Sequence, residues 1–184
     1  MLSEISKTNK FLKEGKIILY PTDTVWGLGC DATNFKSISK IYQLKNRVES
    51  KSLIVLVSSL NMLKKHVSVP KNAIVILKSS NKPTTIIYKN PKGFATNTIA
   101  KDNTIAIRIV KDDFCRKLIK RFGKPIVSTS ANVSGEATPK SFKEISNPIL
   151  EGVDYIVDLH KNRVNTNPST IIKIDGDNIQ VLRA

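Results

Sequence analysis

The run Ser52–Val57 (SLIVLV) limits the possible folds more than any other stretch of this chain. A half-buried strand alternates apolar and polar residues, and a surface helix repeats its apolar residues every three to four positions. SLIVLV follows neither pattern. It is continuously apolar over the length of one strand, which calls for burial on both faces. Such a strand belongs inside a sheet with a layer above it and a layer below.

The remaining chain can supply those layers. Leu2–Lys16 reads as an amphipathic helix with Ser3 as its cap, Ile5, Phe11 and Leu12 as its apolar face and Gly15 as its stop. Strand Ile17–Tyr20 runs into Pro21, which cannot donate to a ladder, and a loop through Asp31 follows (PTDTVWGLGCD) in which Gly27 and Gly29 permit close backbone approach. Asn34 caps a helix from Phe35 to Lys45, and shorter helices are expected over Leu60–His66 and Asn72–Leu77. Thr85–Tyr88 and Thr104–Ile109 read as strands. Asp112 and Gly123 bracket a helix that ends at Phe122, and Pro125–Ser128 is a further strand. After the small-residue loop Thr129–Thr138, Ser141–Ser146 starts a helix and Val153–Asp158 a strand. Ser169–Ile174 and Ile179–Leu182 then form a hairpin around Asp175–Asn178. Helices and strands alternate without a strict βαβ rhythm. The expectation is an α/β fold, a twisted mixed parallel and antiparallel sheet flanked by helices, with residues 1–184 forming one domain.

Composition narrows the function. The chain carries 30 basic against 15 acidic residues, a net charge of +15, and most of its cations are lysines. That excess favours anionic partners such as nucleotides or RNA. Cys30 and Cys115 are too few for a disulfide framework, and a reduced, cytoplasmic setting is expected. His66 and His160 stand apart without zinc-site spacing. No window approaches the length of a membrane span. The chain has neither a G-x-x-x-x-G-K-[ST] loop nor a G-x-G-x-x-G turn, so a bound nucleotide would be held in another way.

Four pieces have the chemistry of a site. Lys45-x-Arg47, with Lys51, leaves a helix; in an extended segment residues two apart share a face, and both cations would meet one polyphosphate. A solvated basic helix end is the plain alternative. Ser128, Ser130 and Asn132 likewise share a face in an extended run and present two hydroxyls and an amide. Arg108 sits inside an apolar strand, where an unpaired guanidinium is costly, so it needs a ligand or partner unless the strand is an edge. Ser169 enters the last hairpin, and Arg183 ends it.

In this order the pieces resemble one family. YPTDTVWGLGCD, LKNR with its apolar strand, P-T-T, A-I-R, S-T-S-A-N-V-S-G, P-S-T-I-I and V-L-R are similar to the YrdC-like threonylcarbamoyl-AMP synthases, from about Ile17 to Arg183, in the short single-domain form. The resemblance implies a YrdC-like sheet with a basic concave cavity. It also implies synthesis of L-threonylcarbamoyl-AMP from L-threonine, bicarbonate or CO2, and ATP, with release of pyrophosphate and with Mg2+ beside the ATP. A threonylcarbamoyl-transfer complex acting on tRNA would follow. Carried over by motif, Thr24, Arg108, Ser128 and Ser169 would hold threonine. Arg47, Lys51, Thr104, Ser130, Thr138 and Arg183 would hold ATP, and Lys45, Arg47 and Asn132 would form the catalytic set. The chain departs from the family pattern in several places. Trp26 replaces a Tyr or Phe, and Ser52 stands where K-P-L has proline. No histidine lies near Leu56, only Lys82-Pro83 precedes Thr84, and Val110 replaces a proline. The competing expectation is a non-catalytic protein of the same fold that binds double-stranded RNA, tRNA or rRNA.

Overall fold

The computed structural model describes residues 1–48, 53–165, 167–176 and 178–184. In chain order its elements are α1 (Leu2–Lys13), β1 (Ile18–Tyr20), β2 (Gly27–Gly29), α2 (Phe35–Leu44), β3 (Ile54–Val57), α3 (Leu60–His66), α4 (Lys71–Ser79), β4 (Thr84–Lys89), β5 (Thr104–Ile109), α5 (Asp113–Phe122), β6 (Ile126–Ser130), α6 (Asn147–Gly152), β7 (Tyr155–Ile156), β8 (Thr170–Asp175) and β9 (Asn178–Arg183). The described strands form one mixed sheet in the order β7-β1-β2-β6-β3-β5-β4-β8-β9. The apolar run, β3, lies near the middle, parallel to β5 and antiparallel to β6.

Burial on both faces follows from the two layers. Val55 and Val57 join a core built with Ile38 and Ile41 of α2, Leu63 of α3 and Ala73 of α4. Leu56 points the other way, with Ile18, Tyr20 and Ile126, into a second core closed by α1 and α5. These two helices cover only part of the second face. Beyond them the same face carries Ser128 and Ser130 on β6, Ala106 and Arg108 on β5, and Ile87 on β4, and a cavity opens there.

Local chemistry sets the helix ends. Asn34 accepts the backbone N–H of Ser37, Asp112 that of Cys115, and Gly123 closes α5 with φ of 80°. Ser3 does not cap α1, contrary to expectation. It lies within the helix, which begins on Met1, whose carbonyl accepts the N–H of Ile5. The expected strand Val153–Asp158 contracts to Tyr155–Ile156, and the helix expected from Ser141 is a 3-10 turn at Phe142–Glu144 followed by α6. Among the described residues no helix is long and apolar enough to cross a membrane.

The largest departure is β2, because Gly-Leu-Gly lacks strand propensity. It is nevertheless paired with β1 and β6, which makes the PTDTVW loop the turn of a hairpin. Gly29 is needed there for space. A β-carbon would lie 2.5 Å from the Tyr20 ring and 2.8 Å from the Val127 carbonyl. That ring is fixed by a hydrogen bond from its hydroxyl to the same carbonyl, 3.2 Å long. Gly29→Ala is therefore expected to lower unfolding stability by about 1–3 kcal/mol through overpacking. Tyr20→Phe, which loses only the hydrogen bond, should cost about 1 kcal/mol. Urea titrations of both variants test this, and a Gly29→Ala midpoint equal to wild type would refute the packing argument.

Candidate active site

Register places the polar groups. Leu56, at the edge of the covered core, starts a row that runs onto the open face through Arg108, Thr85, Ile171 and Arg183 across β3, β5, β4, β8 and β9. The neighbouring row runs Ser128, Ile54, Ala106 and Ile87. Because β5 is central, Arg108 is only 2% exposed; the edge-strand alternative does not apply.

A buried guanidinium needs a counter-charge, and the β1–β2 hairpin loop provides one. Asp23 Oδ1 lies 3.1 Å from Arg108 Nη2, off the hydrogen-bonding direction, so the attraction is coulombic more than directional. Its other oxygen accepts the backbone N–H of Lys111 at 3.0 Å. Thr22 organises the loop: its hydroxyl donates to the Val25 carbonyl and accepts the N–H of Thr24. A hydroxyl has one proton, so in the 3.0 Å contact between the two hydroxyls Thr24 is the donor. Thr24 Oγ1 is then an acceptor towards Arg108 Nη2, 3.3 Å away. Arg108 Nε has no acceptor among the described residues.

The last hairpin meets this row. Arg183 clasps Ser169, with Nε donating to its carbonyl at 2.9 Å and Nη2 to its hydroxyl at 3.1 Å. The Ser169 hydroxyl is also 2.8 Å from that of Thr85. Burial lowers the pKa of Arg183, and the nearby charge of Arg108 lowers it further. Two guanidiniums that repel each other in a cavity favour an anion between them.

The K-x-R segment is not extended. Lys45 ends α2, and Asn46 takes a left-handed φ of 47°. The N–H groups of Asn46 and Arg47 return to the carbonyls of Gln43 and Tyr42, so the helix ends in a Schellman motif. The two cations consequently part. Arg47 lines the cavity, and burial lowers its pKa. Lys45 is 1% exposed, and its ammonium donates to the carbonyls of Ser130 and Asn132, each at 2.5 Å. Its own carbonyl accepts the Ser134 N–H at 2.7 Å. Lys45 thus latches the end of α2 to the loop after β6. Burial first, then the neighbouring Arg47, lowers its pKa to about 8 despite the two acceptors.

Thr24, Arg47, Arg108 and Ser128 line one cavity of about 370 Å3, together with Ser130, Thr138, Ser169 and Arg183. Lys45, Thr104 and Asn132 are not among its lining residues. Thr104 donates to the Asp102 carboxylate at 2.6 Å, and Asn132 donates its amide to the Val133 and Glu136 carbonyls. Lys51 lies outside the described residues. Sequence reasoning did not single out Asp23 or Thr85 as site residues, or Ile54, Ala106 and Ile87 as the cavity floor. Asp23 stood in view as the only acid between Pro21 and Gly29, and Thr85 as the second threonine of P-T-T. A larger cleft of about 640 Å3 lies elsewhere, at the ends of β4 and β8, and contains none of the expected residues.

The whole arrangement falls within a match, over residues 10–184, to the Sua5/YciO/YrdC family model, described as "Telomere recombination". The chain belongs to the Sua5/YciO/YrdC family. A Methanocaldococcus jannaschii relative is 37% identical over 185 residues, covering 98% of this chain and 86% of that protein. The threonylcarbamoyl-AMP synthase of Pseudoalteromonas translucida is 36% identical over 178 residues, covering 92% of each. Among solved structures, Pyrococcus abyssi Sua5 complexed with L-threonine superposes with a TM-score of 0.88 at 26% identity, over 97% of this chain and 53% of that one.

Two losses are expected from this Sua5/YciO/YrdC site. Asp23→Ala leaves Arg108 buried without its counter-charge and should cost about 3–5 kcal/mol of unfolding stability. Lys45→Met strands two carbonyls and should cost about 1–3 kcal/mol. The Lys45 effect also has a sign in pH. The folded chain releases this proton near pH 8, whereas an ordinary lysine holds it to 10.5. Between those values the unfolded state binds more protons, so stability rises with pH. The stability difference between wild type and Lys45→Met should therefore widen from about pH 8 to 10.5. A flat difference in denaturant titrations across that window would refute the assignment.

Proposed function

We propose that this chain, as one YrdC-like domain, makes L-threonylcarbamoyl-AMP from L-threonine, bicarbonate or CO2, and ATP. One observation carries the reading. A single cavity combines Arg108 and Arg183, which call for an anion, with small hydroxyls and with Arg47. The Arg108 guanidinium, with an unpartnered Nε, suits the threonine carboxylate. Thr24 Oγ1, an acceptor, suits the substrate's hydroxyl or nitrogen, and Ser128 and Ser169 complete the threonine contacts. Arg47, Ser130, Thr138 and Arg183 face ATP, with Lys51 and Thr104 as further candidates.

Threonine's amine captures CO2 as a carbamate, with loss of a proton. A carbamate oxygen then attacks the α-phosphorus, and pyrophosphate departs. None of these bonds requires a protein nucleophile. The cavity contributes position and charge: Arg108 fixes the amino acid, Arg47 balances the phosphates, and the packed floor of Ile54, Ala106 and Ile87 limits water. Lys45 and Asn132 act from outside the cavity by holding the loop that carries Ser130. Among the described residues no carboxylate lines the cavity, and there is no cluster of three acidic, histidine or cysteine side chains. Mg2+ fits as an ion carried in on the triphosphate, where it would neutralise phosphate charge. The adenylate then passes to a threonylcarbamoyl-transfer complex acting on tRNA, which fits a cytoplasmic setting. A purely RNA-binding role offers no use for a guanidinium this deeply buried beside Thr24.

The deciding experiment measures pyrophosphate release from ATP and bicarbonate, with L-threonine, with L-serine or with neither. Release dependent on threonine and bicarbonate, with threonylcarbamoyl-adenylate identified by mass, is expected. Silence from folded protein that still binds RNA would reverse the reading. Arg47→Ala should slow release by about 100-fold or more in protein that remains folded. Near-normal turnover of that variant would remove Arg47 from the mechanism.

A further inference from the structure

The cleft of about 640 Å3 at the C-terminal ends of the parallel strands β4 and β8 shares only Ile87 with the lining of the candidate active site. We infer that it is a second site, for a phosphorylated nucleoside, with lysines at the phosphate and an apolar floor under the base.

Four lysines line it: Lys64 and Lys65 from the last turn of α3, Lys89 at the end of β4, and Lys92 beyond it. Asp175, the carboxylate among the lining residues, is matched by Lys89 at 2.6 Å, leaving an excess of positive charge. The rim is built before any ligand arrives. His66 and Lys92 bind each other twice, the Lys92 N–H donating to the His66 carbonyl at 2.8 Å and His66 Nδ1 lying 2.9 Å from the Lys92 carbonyl. Since a carbonyl only accepts, Nδ1 carries the proton. Asn90 and Asn103 are joined by a backbone and a side-chain hydrogen bond, which fixes the start of the same loop.

Beneath this rim, the exposed edges of Val67 and Ile174 provide apolar surface beside Tyr88, over the buried Ile86. Tyr88 is 3% exposed, and its hydroxyl has no partner among the described residues. A buried phenol left unpaired costs free energy that a bound polar group would recover. The volume lies within the range of small-molecule sites. A base over the floor and a phosphate at the rim satisfy both kinds of surface together, which neither a bare anion nor an apolar ligand does. Lysines act as point charges without bidentate geometry, so the phosphate is bound by charge, whether it belongs to a free mononucleotide or to an RNA strand.

The test measures fluorescence anisotropy of labelled AMP and of a labelled short oligoadenylate on the full chain over a range of salt. The proteins compared are wild type, the triple variant Lys64→Gln, Lys65→Gln, Lys92→Gln, and the charge-matched control Lys13→Gln, Lys36→Gln, Lys40→Gln. The first triple variant should lose about ten-fold or more in affinity, and its salt slope should fall by about 2 for the strand. The control should stay near wild type in affinity, and pyrophosphate release should be unchanged in the cleft variant. Tyr88→Phe should weaken AMP without lowering stability. Loss with both probes assigns the site to free nucleotide as well as RNA, and loss with oligoadenylate alone assigns it to RNA. Failure of wild type to bind either probe, or equal losses in the two triple variants, would overturn the site.

Discussion

The structure depends first on the charge of Arg108. A guanidinium on the central strand of a sheet is sustainable only if other parts of the chain come to meet it. The β1–β2 hairpin loop does so with Asp23 and Thr24, from more than eighty positions upstream in sequence. That requirement explains why the loop is stiff: Thr22 uses its hydroxyl proton, an accepting lone pair and a second contact to hold Thr24 and Val25 in place. It explains the tight hairpin as well, since Gly29 lets β2 pass under the Tyr20 ring and so brings the loop over β5. Interactions that look like packing are what keep the charge in position.

A second constraint acts at the opposite side of the cavity. Ser130 ends β6, paired with Gly27 of β2, and the loop that follows it is fastened separately. Lys45 holds that loop by its carbonyls, and the Schellman turn at Asn46 separates the latch from Arg47. One helix end therefore gives a structural cation and a cavity cation from positions two apart. The depressed pKa of Lys45 belongs to this latch, and a perturbed lysine beside an active site need not be an acid or base of the reaction.

Much of this was legible in the sequence, and the failures have physical causes. SLIVLV correctly required two covering layers, and the caps at Asn34, Asp112 and Gly123 are local signals that tertiary packing had no reason to override. Strand β2 was illegible because two glycines carry no propensity for a strand; the space Gly29 needs is set partly by Val127, a neighbour almost a hundred positions away. The shared face expected for Lys45 and Arg47 failed because it assumed an extended chain, whereas Asn46 adopts a left-handed turn that asparagine tolerates. The Arg108 partner could not be named in advance, since pairing a lone acid with a lone base across a sheet requires the topology. The Ser169–Arg183 contact was accessible because a hairpin register is local.

The division of the open face shows where a site arises in such a sheet. Along β6 the residues facing this side run Ile126, Ser128, Ser130, and the change from apolar to hydroxyl falls where the cover of α1 and α5 ends. Along β3 Leu56 is in that covered core, while Ile54 reaches the cavity floor. Had α1 and α5 extended across the face, Arg108 Nε, which has no acceptor among the described residues, would be sealed into a dry core at a cost to a marginally stable fold. With the cover stopping short, the same guanidinium borders a space in which a ligand can satisfy it. The length of two helices, as much as any catalytic motif, makes this part of the sheet a binding site.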